Sequence, residues 1–249
     1  MRKIIHTAVA VMVFAVGGVM LPASAAPAPS GVEMLDPEVN PRDRDAIQRG
    51  AKSFVNYCLG CHSVKYLRYN RLGQDTGMPD DLVEEHLIFG EQEVHDLMLS
   101  SMDPEDAEAW LGMAPPDLSL TTRVEGEKWV YTFLNGFYRD EDATHGVNNL
   151  LQEGTSMPHM LSRLQGIPEP VYADDGETVV GVQIPEGAGG TLSEEEYLEF
   201  TADIVSFMVY AAEPIRADRE RIGVWVILFL IVLTVIFYFL KREYWKDIH

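Results

Sequence analysis

An uninterrupted apolar run near the C-terminus is the longest feature of the hydrophobic pattern. From Ile222 to Leu240 the chain has no charged residue. As a helix that rises about 1.5 Å per residue, this run would be about 28 Å long, close to the hydrocarbon thickness of a bilayer. The run therefore predicts one C-terminal transmembrane helix.

A shorter apolar stretch lies at the N-terminus. It follows Arg2 and Lys3 and ends in the small residues of LPASAAPAPS. A basic start, a short apolar middle and small residues before a cleavage point are typical of a secretory signal peptide. The pattern predicts such a peptide over residues 1–25.

Basic residues follow the C-terminal run at Lys241, Arg242 and Lys246. The positive-inside rule and the signal peptide agree on a cytoplasmic C-terminus. We therefore expect a single-pass protein of the bacterial inner membrane whose main domain lies in the periplasm. The predicted segments are a signal peptide (1–25), an exported domain (26–216), a transmembrane anchor (217–240) and a cytoplasmic tail (241–249).

Helical spacing of apolar positions predicts four helices in the exported domain. The first begins with Asn40 as its N-cap and ends beside Cys58. The next two cover residues 79–102 and 127–137. The fourth starts at a capping box formed by Ser193 and Glu196, and Pro214 ends it.

The connections between these helices are rich in Gly, Pro and polar residues, and residues 165–190 have no predicted role. Within them, VYADDGETVVGVQI predicts a small hairpin that turns at Asp175 and Gly176. The domain is expected to be mostly α, with long loops. Its helices alone would make a thin core, so we expect something else to fill the centre.

The charge of the chain narrows the choice of partners. The net charge is −20, and residues 26–240 hold 14 basic and 37 acidic side chains, a net charge near −23. This sign excludes nucleic acid as a partner. A large negative field favours a basic protein partner, although acidic surfaces are also common on soluble domains.

The two cysteines of the chain stand in the pentapeptide Cys58-Leu-Gly-Cys61-His62. A disulfide across two residues would close a very small loop, and a thioredoxin-like redox pair needs a βαβ context that is missing here. A zinc site would need two further ligands from scattered histidines. Cys-x-x-Cys-His is instead the signature of covalent haem attachment, with thioethers at both cysteines and the histidine as an iron ligand. We therefore predict one haem c, which would also fill the centre of the domain.

The second axial ligand is open on the residues alone. Met208 lies near the apolar stripe of the last helix and is expected in the core. Met113 precedes Ala-Pro-Pro and Met157 precedes Pro-His, so both are loop methionines with rigid neighbours. A thioether from either would raise the reduction potential of the iron.

Several longer motifs resemble the cytochrome c1 family, the membrane-anchored haem subunits of cytochrome bc1 complexes. They cover almost the whole exported part: CLGCHSVKYLRYNRLG, APPDLSLTTR, EKWVYTFLNGFY, GVNNLLQEGTSMPHMLSRLQG and AAEPIRADRERIGVWVILFL. The resemblance implies a class I cytochrome c-like haem domain with one C-terminal transmembrane helix.

The resemblance also implies roles for single residues. It implies haem thioethers at Cys58 and Cys61 and axial ligation by His62 and Met157, with Met160 as a minor alternative. A carbonyl of the prolines at 115 and 116 should accept the Nδ1–H of His62. The remaining positions that match the haem surroundings of the family are Pro115, Pro116, Arg123 and Trp129.

The function implied is electron transfer within a ubiquinol–cytochrome c reductase. The family resemblance implies a Rieske iron–sulfur protein as donor, a c-type cytochrome as acceptor and a cytochrome b subunit as neighbour in the membrane. A catalytic residue is not expected, so the chain would be part of an enzyme without its own substrate site. Two alternatives stay open: a tethered c-type cytochrome that serves another respiratory enzyme, and a catalytic or sensory haem protein.

Overall fold

The fold was described from a computed structural model, which covers residue 29 and residues 31–247. The predicted signal peptide over residues 1–25 lies outside this range. The helices are α1 (Arg44–Tyr57), α2 (Tyr69–Thr76), α3 (Asp80–Leu87), α4 (Pro104–Leu111), α5 (Thr121–Val124), α6 (Glu127–Asn135), α7 (Ser162–Gln165), α8 (Glu194–Ala212) and α9 (Arg216–Tyr244). The strands are β1 (Val64–Arg68), β2 (Leu97–Met98), β3 (Phe137–Arg139), β4 (Val147–Asn149), β5 (Glu169–Tyr172) and β6 (Val179–Gln183).

The core is built where α1 crosses α8. Phe54 and Phe207 are fully buried there, with ring centroids 5.0 Å apart. Gly50 makes the close approach possible, because a Cβ on it would lie 1.9 Å from the backbone oxygen of Asp203. Arg49 closes the crossing with two hydrogen bonds to the Asp203 carboxylate, of 2.7 and 2.8 Å. The mostly α fold predicted from the sequence is confirmed.

The first helix begins later than predicted. Asp43, not Asn40, is the N-cap of α1, and its carboxylate accepts the amide of Ala46 at 3.0 Å. The side chain of Asn40 instead accepts the amide of Arg42 at 3.0 Å and shapes the turn before the helix. Both residue types cap well, so the prediction of Asn40 as N-cap was wrong by one turn.

The predicted helix over residues 79–102 is mostly wrong. Only α3 is helical, and Ile88 at its end is extended. Backbone pairing across the fold takes over beyond it, because the amide of Asn70 donates to the carbonyl of Val94 at 2.7 Å and β2 pairs with β1. The third predicted helix is confirmed for Glu127–Asn135, and the chain then enters β3.

The strands form three two-stranded antiparallel sheets among the described residues, β1–β2, β3–β4 and β5–β6. The last is the predicted hairpin, and Gly176 takes the left-handed conformation in its turn, with φ 71°. The capping box of Ser193 and Glu196 is present at the start of α8. Both local predictions are therefore confirmed.

Helix α9 carries the apolar run. In the described part of the chain it is the one helix long and apolar enough to cross a membrane, and none of its apolar stretch is buried in the domain. Glu213, between α8 and α9, accepts hydrogen bonds from Arg219 at 2.6 Å and Arg123 at 2.8 Å. These pairs tie the start of α9 to the domain.

Candidate functional site

The turn that follows α1 holds the Cys-x-x-Cys-His residues. The amide of Cys58 donates to the carbonyl of Phe54 at 2.8 Å and ends the helix. The amides of Cys61 and His62 both donate to the carbonyl of Cys58, at 3.0 and 2.8 Å. Two free thiols and one imidazole are therefore carried by a single hydrogen-bonded turn.

A hydrogen bond to Pro116 fixes the His62 imidazole. Its Nδ1 lies 2.8 Å from the Pro116 carbonyl oxygen. A carbonyl can only accept, so in this contact Nδ1 carries the proton and the lone pair is on Nε2. Burial lowers the pKa of His62, which favours the neutral ring. The predicted hydrogen bond from His62 to one of the two prolines is thus present.

The segment around Pro116 is itself held against the chain after His62. The amide of Leu118 donates to the carbonyl of Ser63 at 2.9 Å, and the amide of Lys65 donates to the Asp117 carboxylate at 2.9 Å. These bonds join segments 52 to 55 positions apart in sequence. The orientation of the imidazole therefore depends on two loops that only the fold brings together.

The thiols have the wrong electrostatics for redox catalysis. Burial, and then the neighbouring Cys61, raise the pKa of Cys58 to about 12, and burial raises the pKa of Cys61 as well. Reactive thiols need a lowered pKa, because the thiolate is the nucleophile. Among residues 29 and 31–247, no group of three or more His, Cys, Asp or Glu side chains could hold a metal ion. A thiol redox pair and a zinc site therefore have no support from the site geometry.

The candidate methionines differ in their surroundings. Met208 is 4% exposed in α8 and belongs to the core, as predicted. Met113 and Met160 are 48% and 45% exposed. Met157 is half-buried in the loop between β4 and α7, and its amide lies 3.4 Å from the Thr155 hydroxyl. Met157 is the least exposed of the three loop methionines.

Arg123 and Trp129 are engaged with other residues. The guanidinium of Arg123 donates to the Glu213 carboxylate, so it already has an anionic partner. Trp129 is half-buried and stacks on Phe133, with ring centroids 5.2 Å apart and the planes 13° from parallel. The predicted role of both residues beside a haem stays a prediction.

The structure adds residues that the sequence did not single out. Phe133 meets Phe137 edge-on at 5.3 Å, and Phe137 stacks on His159 at 4.9 Å. Together with Trp129 they form an aromatic row from α6 to the loop of Met157. Asn148 and Asn149 are buried at the other end of that loop. In the sequence, the only signal of the second group is a pair of adjacent amides within GVNNLL.

These features define a class of protein. A mostly helical domain presents a Cys-x-x-Cys-His turn whose histidine is held through Nδ1, and the domain continues into one apolar helix that could cross a membrane. These features are typical of membrane-anchored c-type cytochromes.

Comparison with known proteins gives the family. The model of the Cytochrome C1 family matches residues 38–248. Cytochrome c1 of Allochromatium vinosum is 45% identical over 224 residues, which cover 88% of this chain and 91% of that one. The chain belongs to the cytochrome c1 family, which confirms the resemblance carried by the motifs. Members of this family are electron-transfer haem subunits.

Other relatives are more distant or carry a different name. A Nitrosomonas europaea protein named as the gamma subunit of ammonia monooxygenase is 42% identical over 209 residues, covering 83% of this chain and 85% of that one. Among solved structures, a chain of a hyperthermophilic respiratory Complex III matches with a TM-score of 0.45 and 20% identity, covering 100% of this chain and 98% of that one.

Proposed function

We propose that this protein is the haem subunit of a bc1-type ubiquinol–cytochrome c reductase, which accepts electrons from a Rieske iron–sulfur protein and passes them to a c-type cytochrome. The observation that carries the proposal is the 2.8 Å contact from Nδ1 of His62 to the Pro116 carbonyl, in a chain of the cytochrome c1 family. It prepares a neutral imidazole with a free lone pair directly beside two thiols. Such an arrangement suits an electron carrier, and the protein would act as an enzyme only within its complex.

The donor set of the site fits a haem c. Cys58 and Cys61 would form its thioethers, and its iron would be held by His62, through Nε2, and by Met157, through its sulfur. When bound, the haem supplies one-electron chemistry, because its iron alternates between the ferric and ferrous states. The two half-buried thiols and the imidazole share one turn, which matches the adjacent attachment points that such a group requires.

The protein residues tune and orient this centre. Pro116 holds the imidazole ring and makes Nε2 a better donor. A thioether ligand from Met157 would favour ferrous iron and raise the reduction potential. Pro115, Arg123 and Trp129 would complete the haem surroundings, with Arg123 shared between Glu213 and a haem carboxylate.

The location and partners follow from charge and hydropathy. Residues 1–25 would be removed as a signal peptide, residues 26–216 would lie in the periplasm, residues 217–240 would span the membrane and residues 241–249 would lie in the cytoplasm. The apolar surface of α9, which is unburied in the domain, fits a neighbouring cytochrome b subunit. The acidic composition favours a basic acceptor cytochrome and disfavours nucleic acid.

A second candidate is a tethered c-type cytochrome that serves another respiratory enzyme. The observation in its favour is the 42% identity to a protein named as a subunit of ammonia monooxygenase. The haem ligands would be the same in both cases, and only the partners would differ. Purification of the full-length chain from detergent-solubilised membranes separates the two. Absence of both a Rieske protein and a polytopic cytochrome b from the purified material would contradict the bc1 assignment.

The experiment on the haem site is a redox titration of the full chain in detergent, followed by carbon monoxide on the reduced form. Met157→Leu should lower the midpoint potential and admit carbon monoxide, because it removes the thioether ligand. Met113→Leu and Met160→Leu are matched controls, since each removes a loop methionine of similar size, and both should behave as the wild type. A Met157→Leu protein with an unchanged potential and no carbon monoxide binding would refute the ligand assignment.

A further inference from the structure

The loop between β4 and α7, which carries Met157, is held by side chains near its start. The amide of Leu151 donates to the side-chain oxygen of Asn149 at 3.0 Å. The amide of Gly154 donates to the side-chain oxygen of Asn148 at 2.9 Å. The path of the loop toward Met157 therefore depends on two asparagine side chains at the end of β4.

Asn148 uses both the oxygen and the nitrogen of its side-chain amide. Its Oδ1 also accepts the amide of Asn149 at 2.9 Å, and its Nδ2 donates to the Asp140 carboxylate at 2.9 Å. The residue is 7% exposed. Asp140 thus fixes the rotation of the Asn148 amide, and this rotation points Oδ1 at Gly154.

The hydrogen bond from the amide of Gly154 to Asn148 tethers the loop to β4, and we call it the Gly154 tether. It is exposed and takes the left-handed conformation, with φ 71°, so the turn at this position requires a glycine. Water can take its amide if the oxygen of Asn148 is removed. After that exchange, the segment from Gly154 to Met157 loses its hydrogen bond to β4.

The two ends of the loop between β4 and α7 are anchored by other residues. Asn149 is 2% exposed and donates to the carbonyl of Phe133 at 2.8 Å, which secures β4 to α6. At the far end, His159 is buried and stacks on Phe137. Asn148, next to the first anchor, reaches across the loop to the amide of Gly154, three residues before Met157.

We propose that Asn148 is the positioning residue that holds the loop so that the Met157 sulfur stays on the haem iron, with Asp140 setting the orientation of its amide. The inference rests on the proposed ligation by Met157. Asn148 acts on Met157 indirectly, through the Gly154 tether, which is its hydrogen bond to the amide of Gly154. Its loss increases the fraction of molecules in which Met157 is dissociated from the iron.

Asn148→Ala in the full-length haem protein tests this directly. The charge-transfer absorbance that a methionine sulfur gives on ferric haem should weaken. The ratio of molecules with Met157 off the iron to molecules with Met157 on it should rise about tenfold. Carbon monoxide binding to the reduced haem measures this ratio, because only the first group binds it. Asn135→Ala is the matched control, because Asn135 is also a buried asparagine with three side-chain hydrogen bonds, but it lies at the end of α6 and bonds to Tyr131 and to Thr201 of α8. It should lose stability without any change in absorbance, potential or carbon monoxide binding.

A second set of variants, which moves the carboxylate from position 140 to position 148, applies if Asn148→Ala does not accumulate with bound haem. Asn148→Asp keeps the oxygen for Gly154 but sets two carboxylates against each other, so it should lose methionine ligation. Adding Asp140→Asn restores a donor and an acceptor in exchanged positions. The double variant N148D/D140N should regain the absorbance and the potential of the wild type.

The outcomes separate this inference from the ligand assignment. If Met157→Leu changes the absorbance but Asn148→Ala does not, the positioning role is wrong and the ligand assignment stands. The role is also overturned if Asn135→Ala shifts the spectrum as far as Asn148→Ala. It is overturned as well if the double variant is no closer to the wild type than N148D in haem content or spectrum. If Met157→Leu itself changes nothing, the proposed ligation has failed.

Discussion

Replacing Gly50 by alanine tests the crossing of α1 and α8. The new Cβ would lie 1.9 Å from the backbone oxygen of Asp203 and 2.9 Å from the Cβ of Phe207. Ordinary contact begins at 3.4 Å, so the helices would have to separate by about 1.5 Å at this point. The obstacle is backbone, which cannot rotate away as a flexible side chain could.

The cost follows from two opposing effects. Overpacking of a buried contact costs about 1 to 3 kcal/mol, and a clash with backbone belongs at the upper end. Separation would also stretch the hydrogen bonds from Arg49 to Asp203 and loosen the contact of Phe54 with Phe207. Alanine returns about 1 kcal/mol through its better helix propensity. The net loss is about 2 kcal/mol, or about 30-fold in the folding equilibrium.

Unfolding of the full haem protein by denaturant in detergent measures this loss, with tryptophan fluorescence as the signal. Gly181→Ala is the control, because its Cβ would meet only the Val171 Cβ, at an ordinary 3.8 Å. This control should unfold at the wild-type denaturant concentration or slightly above it. If Gly50→Ala did the same, the argument that a close helix crossing depends on Gly50 would be refuted.

Two further substitutions test contacts around the domain. Glu213→Gln removes a carboxylate whose pKa is lowered first by the hydrogen bond from Arg219 and then by the positive charges of Arg219 and Arg123. The Glu213 carboxylate contributes about 1 kcal/mol of stability above its ordinary pKa of 4.5, and this contribution is lost as the pH falls through the lowered pKa. The wild type should therefore be more resistant to denaturant than the variant at pH 7 but not in acid. A gap that persists in acid would contradict this linkage. Thr132→Val removes the acceptor of the Leu35 amide at 2.9 Å, so hydrogen exchange should rise in residues 31–39, and unchanged exchange there would contradict the role of this bond.

Elements with local determinants were predictable from the sequence. The capping box of Ser193 and Glu196 joins residues three positions apart, so its signal is complete within one turn. The hairpin turn is similar, because Asp175 accepts the amides of Glu177 and Thr178 within the same few residues. Tertiary contacts are not needed to select either conformation.

The predictions from the sequence were wrong where distant contacts compete with local helix preference. Asn40 and Asp43 are both good caps, so local preference does not separate them, and the structure has Asp43 at the start of the helix. The segment after Leu87 has a helical pattern, but its carbonyls accept amides from the start of α2, about 25 positions earlier. A single-sequence pattern contains no information about such partners, so tertiary pairing overrides propensity there.

The candidate site combines both kinds of information. Cys58, Cys61 and His62 could be recognised because the chemistry of attachment requires them to be adjacent in sequence. The orientation of His62 depends on Pro116, 54 positions away, which family resemblance suggested and local pattern could not. Asn148 was not predicted, because a buried polar residue shows no periodicity and its importance depends on what surrounds it. The residues that would attach the haem, Cys58, Cys61 and His62, are therefore evident in the sequence, whereas Met157 came only from the family resemblance. The residues that would hold this methionine in place become evident only from the hydrogen bonds of the folded chain.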